Sequence, residues 1–314
     1  MKILSPIDKT SEVDLLADAG ADEFYGGYVS ENWRGKYSML SSANHRYFPS
    51  AQIASEKELK ALIKSAHGRG TKFYLTLNAP YYSVEQYTDL LEDAEKYSAF
   101  GVDAFIISDL GLILRMRDKL PEVQIHLSTL GTIFNTESAA FFHSLGVGRM
   151  VFPRELTLKE IKGVAEANPD VFFDAFVMIG KCPNIEGFCS FTHNSPDLIW
   201  PCEEKYSFNA LKGAKTAVAM IEAQTGWSRV NRRQACGLCA IGALEDAGVK
   251  ALKIVGRGGP TAMKVRVVKA VKGIVDLRAT GGNGSIEAAH RLYREIFGNP
   301  CNPYVCYFPE LHTT

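Results

Sequence analysis

Seven cysteines stand in the 314-residue chain, and all follow residue 181: Cys182, Cys189, Cys202, Cys236, Cys239, Cys301 and Cys306. Thiolates are soft ligands, and four gathered by one segment hold tetrahedral zinc or an iron–sulfur cluster. Spacings of 7, 13 and 37 residues separate Cys182, Cys189, Cys202 and Cys239, which suits a cluster wrapped by a long loop. Structural zinc usually takes closely spaced pairs, and a single C-x-x-C occurs, from Cys236 to Cys239. Spacing therefore places iron–sulfur modestly ahead of zinc. An unligated buried thiol is the simplest account of Cys236 but a poor one for the group. The odd count and the crowding point to metal or redox chemistry more than to structural disulfides.

A second set of residues falls where strands are expected to end: Ser5, Tyr25, Asn78, Asp109, Ser128, Thr129, Arg154, Glu155 and Arg257. Any one of them is explained by a strand turning polar as it leaves the core. Together at one rim they form a pocket lining. Arg154 and Arg257 suit a carboxylate or phosphate, with Tyr25, Ser128 and Thr129 beside them as substrate contacts. Asn78, Asp109 and Glu155 are candidates for orientation or proton transfer. The stretch Gly256-Arg257-Gly258-Gly259-Pro260 precedes a helix and reads equally as an anion site or a plain tight turn. Gly281-Gly282-Asn283-Gly284-Ser285 lacks a P-loop lysine and reads as a linker with Ser285 as a cap. Of the histidines, His126 lies within a strand as a core residue, and His193 is the one inside the cysteine segment.

These residues need a frame, and the chain supplies a recurring joint. Helical patterns end in Gly20, Gly70, Gly101, Gly146 and Gly248, and a short apolar strand follows each. Eight strands are expected near 2–5, 22–26, 72–78, 103–108, 123–128, 149–153, 171–178 and 251–255. Amphipathic helices are expected near 11–19, 55–69, 83–100, 110–119, 134–145, 157–167 and 260–278, several capped by serines such as Ser11, Ser55 and Ser83. The alternation predicts an α/β fold, a (β/α)8 TIM-like barrel, with an open doubly wound sheet as the runner-up. About 70 residues separate the last two strands, a length that is usually functional or carries structure of its own. That connection holds the cysteine-rich insertion, residues 182–239, and includes helices expected near 210–224 and 240–247. It leaves the carboxy-terminal mouth, where barrel enzymes keep their active sites. Residues 1–280 read as one barrel and 281–314 as a helix and tail.

Composition narrows the partners. Lys plus Arg and Asp plus Glu each number 35, so the formal net charge is zero, which weighs against a nucleic-acid partner. A small-molecule substrate, one bearing a carboxylate, is the expectation, with an electron donor or protein partner as a further possibility. No apolar run reaches membrane-spanning length, and the first residues lack a signal-peptide pattern, so no membrane insertion and a cytoplasmic location are expected.

Asp174-Ala175-Phe176-Val177 leading to Cys182-Pro183-Asn184-Ile185-Glu186-Gly187-Phe188-Cys189-Ser190 resembles the signature of the collagenase-like peptidase family, peptidase family U32. Further segments agree in order: Ala21 to Gly27, Ile107 to Gly111, Ser128-Thr129, Arg154 to Thr157, and Leu238-Cys239 with Lys253 to Arg257. Met178 and Ile179 depart from the usual histidine and glycine, and Trp200-Pro201-Cys202-Glu203-Glu204 lacks the usual second cysteine and arginine. Cys301 and Cys306 match nothing in the signature. The resemblance implies a 4Fe-4S cluster held by Cys182, Cys189, Cys202 and Cys239, with Cys236 as the alternative fourth ligand and zinc as the weaker alternative metal. It implies oxygen-independent hydroxylation or related redox chemistry on a small or aromatic substrate, with nucleic-acid modification as a less favoured variant of the same reading. A peptidase and a non-catalytic electron-transfer or scaffold protein are the other readings.

Overall fold

A computed structural model describes residues 1–37, 43–46, 49–182, 185–188, 233–281 and 285–312. Eight parallel strands close into a barrel in chain order: β1 (Lys2–Pro6), β2 (Glu23–Gly26), β3 (Lys72–Leu77), β4 (Ala104–Ile107), β5 (Ile125–Leu127), β6 (Arg149–Val151), β7 (Phe172–Met178) and β8 (Ala251–Ile254). Closure is carried by β1 pairing with β8, Leu4 opposite Lys253. The open-sheet alternative is thereby excluded. Each expected strand is present, its ends within two residues of the expected ones.

Both faces of the strands are covered, so their sequences are apolar almost throughout. In β3, Phe73, Leu75 and Leu77 pack outward into the main core, whereas Tyr74 joins Leu4, Tyr25, Ala104 and Ile106 inside the barrel. The outer ring contains α1 (Val13–Asp18), α2 (Glu31–Lys36), α3 (Glu56–Gly68), α4 (Val84–Ala99), α5 (Leu110–Lys119), α6 (Thr136–Ser144), α7 (Leu158–Ala167), α8 (Ile241–Asp246), α9 (Thr261–Ala279) and α10 (Ser285–Phe297).

Caps fix the helix starts. Ser55 Oγ accepts from the Glu58 amide at 3.1 Å, and Gln86 returns to the Ser83 amide at 2.8 Å. Ser11 does not cap a helix: it lies inside the 3-10 turn Thr10–Glu12, which carries the chain into α1. All five joint glycines have positive φ, between 70° and 107°, as their role in stopping a helix requires. Helix α2 has no counterpart in the sequence reading, because six residues with a glycine among them carry too little periodicity. It forms because Ser30 caps it and Trp33, 1% exposed, anchors it.

The expected helix near 210–224 lies outside the described residues, and that near 240–247 appears as α8 after the 3-10 turn Leu238–Ala240. Where the cysteine-rich segment returns, Met178 pairs with Cys236, and Cys236 pairs in turn with Cys306 of the tail. The Cys236 amide donates to Val305 O at 2.9 Å and the Tyr307 amide to Cys236 O at 2.9 Å. Residues after α10 thus come back to the carboxy-terminal end of β7.

Candidate functional site at the barrel mouth

The barrel interior is unusually polar, and its charges fall into two layers. At the amino-terminal end of the strands, Arg149 donates to both oxygens of Asp174 (Nε at 2.9 Å, Nη2 at 3.0 Å), to Glu23 Oε2 at 2.7 Å and to Tyr74 OH at 3.2 Å. Lys2 completes the cluster on the other oxygen of Glu23 at 3.0 Å. Burial works against the Arg149 charge, yet its two carboxylates raise its pKa above the ordinary value. Burial likewise pushes the Glu23 carboxyl up, but Arg149 and Lys2 outweigh it and hold Glu23 below the usual range.

One step nearer the mouth the partners run out. Lys253, on β8 opposite Phe176 of β7, is 5% exposed and makes no hydrogen bond or ion pair among the described residues. Its Nζ lies 4.5 Å from the centre of the Tyr25 ring and 5.7 Å from that of Phe176. Burial lowers its pKa to about 7; Asp174 opposes the shift, and the charges of Arg149, Arg46 and Arg154 add to it. His126 on β5 stacks edge-on against Tyr74, 4.5 Å between centroids, and burial lowers its pKa well below the ordinary value.

Tyr25 closes this layer by donating its hydroxyl to Ile254 O at 2.8 Å. Arg46 lies above it, bound to Asp8 Oδ1 at 2.9 Å, Ala51 O at 2.9 Å and Tyr25 O at 3.0 Å. Arg154 lies over the Phe176 ring at 3.9 Å and pairs with Glu186 Oε1 at 2.8 Å, while its Nε is buried without a partner among the described residues. Glu186 also accepts from the Arg154 amide at 3.1 Å, and its own amide donates to Glu155 Oε1 at 3.1 Å. Glu155 is solvent-accessible at the rim, but desolvation and then the Glu186 charge raise its pKa to about 7. Arg257 is near enough for its charge to act on the Tyr25 hydroxyl.

Tyr25, Arg154 and Arg257 are thus brought together, with Glu155 joined through Glu186. Asn78 binds Ser128 Oγ at 3.1 Å and accepts from the His45 amide at 3.0 Å. Thr129 Oγ1 donates to Phe152 O at 3.3 Å, and Ser5 Oγ to Pro6 O at 3.2 Å. Asp109 is committed elsewhere: its carboxylate caps α5 through the Leu112 amide at 2.6 Å and accepts from Tyr87 OH at 2.9 Å. In the Gly256–Pro260 turn, the Gly258 amide donates to Asp8 Oδ2 at 2.7 Å. Asp8 in turn binds Lys264, which also holds Glu12 Oε2 at 2.8 Å. An internal carboxylate therefore occupies that amide.

Arg46, Glu186 and Lys253 were missed in the sequence reading. Lys253 left a signal there, as one charge inside the apolar run Ala251 to Val255. Glu186 belongs to the signature segment. Arg46 left none.

The cysteine segment departs through a constrained exit. Ile179 has φ of 63°, a conformation that costs a β-branched residue of order 1–3 kcal/mol and persists only where its surroundings enforce it. Its amide donates to Ala235 O at 2.8 Å, and Tyr307 OH donates to its carbonyl. Cys182, Cys236, Cys239, Cys301 and Cys306 lie within the described residues, Cys236 and Cys306 buried and the other three partly exposed, and Cys189 and Cys202 lie outside them. Backbone amides point at two of the sulfurs, Leu238 N at 3.4 Å from Cys236 Sγ and Phe308 N at 3.4 Å from Cys306 Sγ. A hydrogen bond from Cys306 draws the Cys239 thiol down and leaves the Cys306 thiol raised. No group of three or more His, Cys, Asp or Glu among the described residues is placed to hold a metal ion. Of the four cysteines expected as cluster ligands, two are described.

The sequence profile of Peptidase family U32 matches residues 8–305. The tRNA hydroxylation protein P of Escherichia coli is 29% identical over 188 residues, 60% of this chain and 38% of that protein. A 23S rRNA 5-hydroxycytidine synthase of Escherichia coli is 30% identical over 214 residues, 65% of this chain and 30% of that protein. The tRNA hydroxylation protein P1 of Bacillus subtilis is 25% identical over 286 residues, 88% and 63% of the two chains. The chain spans less than half the length of the first two. A solved U32 peptidase superposes with a TM-score of 0.45 at 14% identity, covering 57% of this chain and 69% of that one.

The relatives named for tRNA and rRNA overturn the expectation of a small-molecule substrate with nucleic acid disfavoured. The physical reason is that net charge averages over the whole surface, whereas a nucleic-acid contact needs only a local cationic patch. No described helix is long and apolar enough to cross a membrane.

Proposed function

Since this chain belongs to peptidase family U32, we propose that it is an enzyme of RNA base hydroxylation, working in the cytoplasm through a 4Fe-4S cluster on Cys182, Cys189, Cys202 and Cys239. The observation that carries the reading is the family match over residues 8–305, with relatives named for hydroxylation of tRNA and rRNA. The donor set fits such a cluster in kind: the two described members, Cys182 and Cys239, are partly exposed cysteines, and soft thiolate is the ligand that iron–sulfur clusters take. When bound, the cluster supplies one-electron chemistry at the mouth. Arg154 and Arg257 meet the anionic backbone or an anionic group of the nucleotide, and the Tyr25 and Phe176 rings offer apolar faces beside them. Glu155, poised near neutrality, is the group suited to take up or release a proton.

Two assays test the reading. Anaerobically purified protein should contain about four irons and four sulfides per chain. They should be lost when Cys182, Cys189, Cys202 or Cys239 is changed to alanine, and kept when Cys301 or Cys306 is changed. Zinc without sulfide would contradict it. RNA retention should weaken as salt rises, and salt-independent retention would remove RNA as the partner.

A further inference from the structure

An amine enclosed by protein without a partner is costly, because burying a cation without compensation is unfavourable and the neutral amine still lacks a hydrogen bond. Lys253 is such an amine: 5% exposed, on the inner face of β8, with no hydrogen bond or ion pair among the described residues. The other buried cations of the barrel differ in this respect. Arg149 has Asp174 and Glu23, Lys264 has Asp8 and Glu12, and Arg46 has Asp8. Lys253 is also the next-to-last residue of β8, so its side chain leaves the strand just below the mouth. The aromatic walls of Tyr25 and Phe176 flank it at 4.5 and 5.7 Å.

We propose that Lys253 is a nucleophilic amine that forms an imine with a carbonyl compound, an aldehyde or ketone, entering the barrel mouth. The Nζ lone pair attacks the carbonyl carbon, and the carbonyl oxygen takes a proton to give a carbinolamine. That hydroxyl then leaves as water, and nitrogen loses its proton to give the C=N bond. One water is released and no electrons are exchanged with another reagent. The surrounding groups support the neutral amine this step needs. Burial is the largest, and Arg149, Arg46 and Arg154 act in the same sense, against the Asp174 carboxylate. The same positive field favours a carbonyl compound that carries negative charge.

The test uses the full chain with glyoxylate and cyanoborohydride at neutral pH, read by intact mass and peptide mapping. Neither cluster nor RNA is needed, so its failure is separable from failure of the hydroxylation reading. The expected result is one reduced adduct per chain on the Lys253 peptide. It should form faster than on a surface lysine by on the order of a thousandfold, the ratio of neutral fractions at pH 7. Lys253→Met and Lys253→Arg should both lose it, and Lys253→Arg keeps a long cationic chain should the methionine variant fold poorly. Adducts spread evenly over surface lysines, or equal labelling of either variant, would overturn the proposal.

Discussion

The two layers of charge inside the barrel are built from similar residues and differ in how they are satisfied. At the floor, Arg149 has each of its charged partners within 3.0 Å, and Lys2 closes the remaining oxygen of Glu23. At the mouth, among the described residues, Lys253 has none and Arg154 leaves Nε unpaired, and Glu155 is crowded by a like charge. A buried network with every member paired fixes a structure. Unpaired or destabilised groups are kept where a ligand is to meet them. The floor therefore reads as a structural plug and the mouth as the reactive end, in keeping with the polarity of barrel enzymes.

The sharpest way to break this contrast is to truncate both layers. Arg149→Met leaves Asp174 buried without its cation and Glu23 with Lys2 alone, and should cost about 3–5 kcal/mol in denaturant unfolding. Lys253→Met replaces an unpaired amine by an apolar chain of similar length and should leave stability at neutral pH unchanged or raise it. Equal losses would erase the distinction between the layers.

Two pH profiles of opposite sign sharpen it. Lys253 falls from 10.5 unfolded to about 7 folded, so the unfolded chain holds the extra proton between those values. Its contribution to stability rises as pH increases from about 7 to 10.5, and Lys253→Met should flatten that rise. Glu155 goes the other way, from 4.5 to about 7, so the folded chain holds the extra proton. Its contribution is present below pH 4.5 and is lost as pH climbs through about 7, and Glu155→Gln should remove that loss. Unfolding curves across pH check both, and matching slopes for variant and parent would refute the assignments.

The smallest effect concerns Asp109. As the cap of α5 it should cost about 1 kcal/mol when changed to alanine, with hydroxylation otherwise retained. Loss of product with stability unchanged would return it to the site.

Strand positions were legible because glycine joints and apolar runs are local signals, and all five joints have the expected backbone. Closure was not, since it rests on the pairing of β1 with β8, residues about 250 apart that periodicity cannot relate. The site shows the same division. Tyr25, Arg154 and Arg257 were placed from strand ends alone. Asp109 also caps α5, since a strand-end carboxylate and a helix cap are the same residue when a helix starts at once. Arg149 and Lys253 went unremarked because inward orientation follows from register, and register follows from closure. The role of the neutral total charge was misread, since a sum carries no information about where charges gather.

The most direct test of the account is mass spectrometry of nucleosides from RNA of a host lacking its own U32 proteins, with and without this chain. A hydroxylated nucleoside should appear with the chain, and it should vanish with Cys182→Ala and fall with Glu155→Gln. Unchanged nucleosides, in cells where the purified protein carries its full iron and sulfide, would contradict it.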